Sequence, residues 1–294
     1  MRCMTTHKIG FIGQGMIGAS YASDFEERGF DVVRYDNEKY AKYKDDLKQC
    51  EIVFIAVPTP TTPRGFDSSI VASVLGLLAD DTLAVVKSTM FPGTTDRLQT
   101  EFQHLRLVHS PEFLRGMRNA ARDAKHPDRN IIGYTERSRA YADAVLEVMA
   151  DAPYTKITTA LTAELIKYMG NVYLTQKVVL ANLFHDLAEA SGVDYQDIRD
   201  AVGADPRIGY NHLDIDDLGG RGAGGFCFIK DLAALREAYE TRIPEDVTGR
   251  ALLAALEEKN INLLVDSGKD IELVEGVYGA GVVAARRGSR HNHS

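Results

Sequence analysis

The chain is 294 residues long and carries 34 Lys plus Arg against 42 Asp plus Glu, a net charge of −8. That length suits about two domains, and 45% apolar with 26% charged residues marks an ordinary globular protein rather than a fibrous or disordered one. A net acidic chain is a poor candidate for general nucleic-acid or anionic-membrane binding. Cys3, Cys50 and Cys227 form neither a disulfide framework nor zinc spacing, so no metal site and a reducing, cytoplasmic home are expected. No run approaches the ~20 apolar residues of a membrane span. Residues 1–7 are polar and lack the hydrophobic stretch of a signal peptide.

The first half alternates strands and helices. Lys8–Ile12 reads as a strand ending at Gly13, and Met16–Arg28 as a helix ending at Gly29. Asp31–Tyr35 is a second strand, closed by Asp36. Ile52–Val57 and Leu83–Lys87 are continuous apolar runs, as expected of strands buried on both faces. Ser69–Leu78 and Ser138–Met149 have helical spacing, and Leu105–Val108 and Asn130–Ile132 are short strands. This alternation predicts an α/β fold with a doubly wound, Rossmann-type parallel sheet over residues 1–152.

Beyond Ala152 the pattern turns helical. Thr158–Ala190 contains no strong breaker but Gly170, and Leu161, Leu165, Met169, Val172, Leu183 and Leu187 recur at helical spacing. Helices of this length often carry a subunit interface, so a homodimer through 158–190 is expected. Further helices are expected at Tyr195–Val202, Leu232–Glu240 and Val247–Val265, with a glycine-rich loop at Gly219–Phe228. Residues 153–265 thus form a helical domain. Residues 266–294 read as a short remnant, ending in a tag-like or disordered tail from Arg286.

Gly13-Gln14-Gly15-Met16-Ile17-Gly18 fits G-x-G-x-x-G between a strand and a helix, the context that gives this motif meaning. Gly13 permits the turn, Gly15 lets backbone approach a pyrophosphate, and Gly18 lets helix and strand pack closely. The helix N-terminus offers N–H groups to phosphates. Asp36 suits an adenosine ribose and repels a 2′-phosphate, which favours NAD over NADP. Arg34, near the ribose end, is a caution on that choice.

Gly222–Asp231 is the densest chemistry in the chain. Cys227 stands near Lys230 and Asp231 at an expected helix start, and a cation and a helix N-terminus both favour thiolate. Cys3 and Cys50 lack this setting. Glu164, Lys167 and Asn171 share one face of the long helix, which by periodicity alone reads as a solvated stripe with a Glu164–Lys167 surface pair. Glu112, in Ser110–Arg115 after a strand, reads alone as a structural loop carboxylate. Lys87-Ser88-Thr89 and Pro58-Thr59-Pro60 end strands on the same side.

Taken in order, GQGMIGA (13–19), VPTPTTP (57–63), KSTMFPGTT (87–95), SPEFLR (110–115), HPDRNIIG (126–133), AELIKYMGNVYLTQK (163–177), DPRIG (205–209) and GAGGFCFIKD (222–231) resemble the UDP-glucose/GDP-mannose dehydrogenase family. The resemblance implies a four-electron oxidation of a nucleotide-sugar C6 alcohol to a carboxylate, UDP-glucose to UDP-glucuronate, with two NAD consumed and a Cys227 thioester on the way. It implies catalytic roles for Cys227, Lys167, Asn171, Asp231, Glu112 and Thr89. It implies cofactor contacts from Gly13, Gly15, Ile17, Gly18, Asp36, Thr59, Thr89 and Lys230, and substrate contacts from Glu112, Lys167, Asn171, Arg207 and Gly224. Arg207 matches an arginine that reaches the partner subunit's sugar site, and the long helix matches a dimer-forming helix.

There are departures from the family pattern. Gly116 stands where a Glu is usual, Ile229 where a Pro is usual, and the loop before Cys227 carries the acidic run Asp214–Asp217. The α/β domain that normally follows does not fit in the residues after Asn262, so a shortened chain or a naturally short enzyme is expected. Two alternatives stay open: a two-domain hydroxyacid or 6-phosphogluconate-type dehydrogenase that needs no cysteine, and an NAD-binding dimer without turnover.

Overall fold

The structure, a computed structural model, describes residues 7–216 and 219–290, the last two by backbone alone. Cys3, most of the N-terminal segment, Asp217 of the acidic run and the last four residues of the tail lie outside the described residues. In chain order the elements are β1 (Lys8–Ile12), α1 (Met16–Glu27), β2 (Asp31–Tyr35), β3 (Ile52–Ile55), β4 (Thr61–Thr62), β5 (Gly65–Phe66), α2 (Ser69–Leu75), β6 (Leu83–Val86), α3 (Thr94–Glu101), β7 (Arg106–His109), α4 (Ala120–Lys125), β8 (Arg129–Tyr134), α5 (Ala142–Val148), β9 (Tyr154–Thr159), α6 (Ala160–Ser191), α7 (Tyr195–Gly203), α8 (Gly225–Arg242), α9 (Val247–Ser267), α10 (Ile271–Tyr278) and α11 (Val282–Arg290). Contacts divide the chain into two units, Met1–Thr59 with Asp67–Lys167, and Pro60–Phe66 with Tyr168–Ser294.

The first unit is built on a seven-stranded sheet of order β2-β1-β3-β6-β7-β8-β9. The order reverses at β1, so a crevice opens beyond the C-terminal ends of β1 and β3, the usual ligand position in open α/β sheets. Every side chain of β3 and β6 is buried, as their continuous apolar sequences require. Phe11, Phe25 and Phe54 meet in the core with ring centroids 5.0–5.1 Å apart. Each such burial contributes about 1.5–3 kcal/mol.

The sheet is mostly, not wholly, parallel: β7 and β8 pair antiparallel. Their connection carries only the short α4 and turns the chain back instead of crossing over. A seventh strand, β9, lies where the sequence pattern shows no strand. It is largely exposed, and at the edge of the sheet it pairs with β8 alone through six residues. The long helix therefore begins at Ala160, two residues later than expected. Its first turns pack on β8, so tightly that a Cβ on Gly133 would lie 2.5 Å from that of Ala163. The boundary between units accordingly falls at Lys167 rather than near Ala152.

The second unit is helical, with the small β4–β5 hairpin. Ile229 of α8, Ile261, Leu264 and Val265 of α9, Val274 and Val277 of α10 and Val283 of α11 form its core. Residues 271–290 are thus structured. The run Arg286–Arg290, expected to be tail, completes α11, and the Arg286 guanidinium bonds Asn262 Oδ1 at 2.6 Å. Helix α8 starts at Gly225, seven residues before the expected start, and takes Cys227 out of the loop.

Candidate active-site residues

The three motif glycines answer to different demands. Gly13 has φ +87°, and a Cβ there would lie 2.3 Å from the Ala56 carbonyl oxygen; a Cβ on Gly18 would lie 1.8 Å from the Gly13 oxygen. The fold itself requires both. Gly15, N-cap of α1, has φ −71°, and a Cβ there would meet nothing within 4 Å. No intramolecular demand keeps Gly15 a glycine, whereas an approaching pyrophosphate would. The first turn of α1 carries no acidic residue and no side-chain cap, so its N–H groups suit an anion. Ile17 packs at the edge of the sheet core behind this turn.

At the end of β2, Asp36 Oδ1 accepts from the Glu38 and Tyr40 amides at 2.9 and 3.0 Å, which fixes the carboxylate's position. The Arg34 guanidinium is bound to Glu26 at 2.6 and 2.8 Å and donates to Gln14 Oε1 at 3.2 Å. It braces the glycine turn with its charge neutralised, which removes the caution against NAD. Thr59 and Thr89 are joined at the ends of β3 and β6: Thr59 Oγ1 donates to the Thr89 carbonyl at 2.8 Å, and both are buried. These residues and the glycine turn share one end of three adjacent parallel strands. The fit to a dinucleotide is good.

The polar groups of α6 are not a solvated stripe. Lys167 is buried, and its Nζ donates to Glu112 Oε1 at 2.8 Å and to the Glu112 carbonyl at 2.7 Å. Glu112 Oε2 accepts from the Leu114 amide at 2.8 Å. Burial alone would raise the Glu112 carboxyl, but the Lys167 ammonium holds it below its usual range. Glu164 does not pair with Lys167. It accepts from the Gly93 and Thr95 amides at 2.5 and 2.9 Å and from Thr95 Oγ1 at 2.6 Å, capping α3 from another helix. Burial pushes its carboxyl up to about 7.

Sequence reasoning passed over the charge of Lys87. Its side chain is buried, with Nζ 3.2 Å from Ser110 Oγ and 4.4 Å above the Tyr21 ring. Burial pushes the amine down to about 7, Glu112 opposing that and Lys167 reinforcing it. The signal was available: a lysine closing the apolar run Leu83–Val86 has little solvent to reach.

In the second unit Cys227 stands in the first turn of α8, partly exposed, in a turn with no acidic residue. Asp231, one turn further on the same face, is fully buried; Oδ2 accepts from Asn171 Nδ2 at 2.6 Å and Oδ1 from Lys230 Nζ at 2.5 Å. Cys50, by contrast, is buried with its thiol pushed up to about 11, chiefly by desolvation, and is inert packing. Arg207 is not joined to this cluster: it is exposed and held by Asp205, with Nη2 2.5 Å from Oδ2. At Gly224 the place of a Cβ is filled by side chains: it would meet Asp270 Oδ2 at 2.0 Å and Lys269 Cε at 2.8 Å.

Two of the departures from the family pattern have local reasons. Gly116 has φ +72°, backbone that disfavours Glu, and Ile229 is buried in the helical core. Among the described residues His185, Asp186 and Glu189 could group around a metal, but Asp186 is already bound by Arg221 and by Lys259 at 3.1 Å. No helix among the described residues is long and apolar enough to cross a membrane.

A glycine turn at the switch point of a mostly parallel sheet, followed by a helical unit built on one long helix, defines the dinucleotide-dependent dehydrogenase class. Residues 38–151 match the model of the NAD binding domain of the UDP-glucose/GDP-mannose dehydrogenase family, and residues 161–261 match that of its central domain. The chain belongs to the UDP-glucose/GDP-mannose dehydrogenase family. The UDP-glucose 6-dehydrogenase of Rhizobium meliloti (strain 1021) is 32% identical over 78% of this chain and 62% of its own length. A UDP-glucose dehydrogenase structure from Pyrobaculum islandicum matches at TM-score 0.75 and 27% identity, covering 94% of this chain and 72% of that one. The 3-hydroxyisobutyrate dehydrogenase of Mycobacterium tuberculosis, at TM-score 0.68 and 16% identity over 96% of this chain and all of its own, shares the fold alone. The chain spans about three fifths of the length of the curated relatives it matches.

Proposed function

We propose that the chain is an NAD-dependent nucleotide-sugar 6-dehydrogenase that converts the C6 alcohol of UDP-glucose to the carboxylate of UDP-glucuronate. The observation that carries this reading is the placement of Cys227 in the first turn of α8, one turn before a buried Asp231 held by Asn171 and Lys230. NAD, held by the Gly13–Gly18 turn and Asp36, would supply the hydride acceptor, one molecule for each of the two oxidations. In the first, the C6 hydroxyl loses its proton while Lys167 and Asn171 stabilise the oxygen's developing charge. The Cys227 sulfur then adds to the aldehyde carbon and the oxygen takes a proton, giving a thiohemiacetal. Loss of that proton and of the second hydride gives a thioester. Water, deprotonated with the help of Glu112, attacks the thioester; the C–S bond breaks, and the thiol and the carboxylate are released. Asp231 passes protons during the oxidations. The covalent step keeps the aldehyde from escaping between the two oxidations.

The functional unit is a homodimer formed through α6. This 32-residue helix leaves Met169, Tyr173, Leu180, Phe184 and Leu187 exposed along its length, an apolar stripe that water does not favour. Arg207, exposed on its short loop, is available to a partner's substrate. With UDP-glucose and NAD, two NADH should form per acid released, and Cys227→Ser should make no acid. Acid formation by Cys227→Ser would instead favour a dehydrogenase without covalent catalysis, and NAD binding without reduction of any nucleotide sugar would favour a binding dimer.

A further inference from the structure

Residues 220–225, which lead into Cys227, are held by one short turn between α9 and α10. Ser267 Oγ accepts from the Arg221 amide at 3.0 Å. Lys269 is buried, and its Nζ donates to the Gly222 carbonyl at 3.1 Å and lies 3.5 Å from that of Gly220. Asp270 Oδ2 accepts from the Gly225 amide, the first of α8, at 2.7 Å. Asn260 of α9 brackets Ala223, accepting from its amide at 2.8 Å and donating to its carbonyl at 3.0 Å.

Two features of Asp270 are unusual. It is the N-cap residue of α10, yet its side chain makes no capping bond to that helix and is spent instead on an amide 45 residues earlier. It also holds φ +53°, ψ +33°, a left-handed conformation that costs a non-glycine residue energy. A residue chosen only to make the turn would be glycine. The carboxylate is retained at a backbone cost, and its target is the amide two residues before Cys227. Ser267, Lys269 and Asp270 all lie beyond residues 161–261, the span that matches the family's central domain.

We propose that Lys269 and Asp270 are positioning residues for Cys227. By pinning the glycine-rich backbone and the first amide of α8, they fix where the Cys227 thiol stands in the helix's first turn. This rests on the reading of Cys227 as the nucleophile. Gly224 follows from the same arrangement: it is glycine because the Lys269 and Asp270 side chains fill the place of its Cβ.

The test is the pH profile of Cys227 alkylation by iodoacetamide, followed by mass spectrometry of the Cys227 peptide, in the full chain and in Asp270→Gly, Asp270→Asn and Lys269→Met. Glycine relieves the left-handed backbone and offsets part of the lost hydrogen bond, so Asp270→Gly should still fold and melt cooperatively, read by thermal melting. It should nevertheless alkylate Cys227 more slowly near neutral pH, by about tenfold in rate, the worth of one lost charge-assisted hydrogen bond, because the released helix start no longer holds the thiol in place; loss of the carboxylate's charge alone would instead speed alkylation. Asparagine keeps an acceptor and tolerates the backbone, so Asp270→Asn should restore most of the rate. Lys269→Met should slow alkylation as Asp270→Gly does. In turnover, kcat should fall while the KM for NAD holds. An Asp270→Gly protein with the parent's alkylation profile would overturn the proposal. Acid formation by Cys227→Ser would overturn the nucleophile reading separately, since the alkylation profile is measured without substrate.

Discussion

Gly15 and Gly18 sit three positions apart in one motif, yet substitution should separate them. Gly15→Ala places a methyl in open space with ordinary backbone, so thermal stability should hold while NAD affinity, measured by calorimetry, drops by about tenfold or more. Gly18→Ala drives a methyl into the Gly13 carbonyl and should cost on the order of 1–3 kcal/mol of stability whether or not NAD is present. Glu164 and Lys87 make a second pair, visible in pH. The Glu164 carboxyl is raised from 4.5 to about 7, so its contribution to stability is full below 4.5 and is lost as pH rises through about 7. The Lys87 amine is lowered from 10.5 to about 7, so its contribution is full above 10.5 and is lost as pH falls through about 7. Urea midpoints of Glu164→Gln should therefore lose the parent's decline between pH 4.5 and 7, and those of Lys87→Met the parent's rise above pH 7. Parallel curves for parent and variants would contradict this assignment.

Helix α6 shows what sequence periodicity gives and where it stops. Its existence and length follow from the apolar spacing and the lack of breakers. Which polar residues on it are buried does not, because burial of Glu164 and Lys167 depends on Thr95 and Glu112, far away in sequence. Only the family resemblance lifted Lys167 and Asn171 above a surface stripe, and nothing lifted Glu164. The edge strand β9 was hidden for the opposite reason: a strand with one partner and an exposed surface needs no apolar run. The early start of α8 was hidden by its glycines, which read as loop until Asp270 and Lys269 supply the restraint. The exposed apolar stripe of α6 carries its own expectation. Leu180→Lys with Phe184→Glu should convert a dimer to a monomer in sedimentation, with each helix still folded by circular dichroism. A parent that sediments as a monomer would remove this helix as an interface.

At the scale of the whole chain, the cofactor motif and most of the order of strands and helices could be read from the sequence, because each rests on local spacing or a contiguous block. The departures arise from contacts between distant segments: the antiparallel β7–β8 pair, the boundary at Lys167, and a helical core that extends through α10 and α11. Gly116 and Ile229, odd against the family pattern, occupy a left-handed turn and a buried core position. The 3-hydroxyisobutyrate dehydrogenase with the same fold shows that architecture alone does not select the reaction; the proposed reaction stands or falls with Cys227. The decisive measurement is therefore the ratio of NADH to sugar acid when the purified chain meets UDP-glucose and NAD, in the parent and in Cys227→Ser. Two NADH per acid, with no acid from the variant, is the predicted result. Acid formation that survives loss of the thiol would contradict the account.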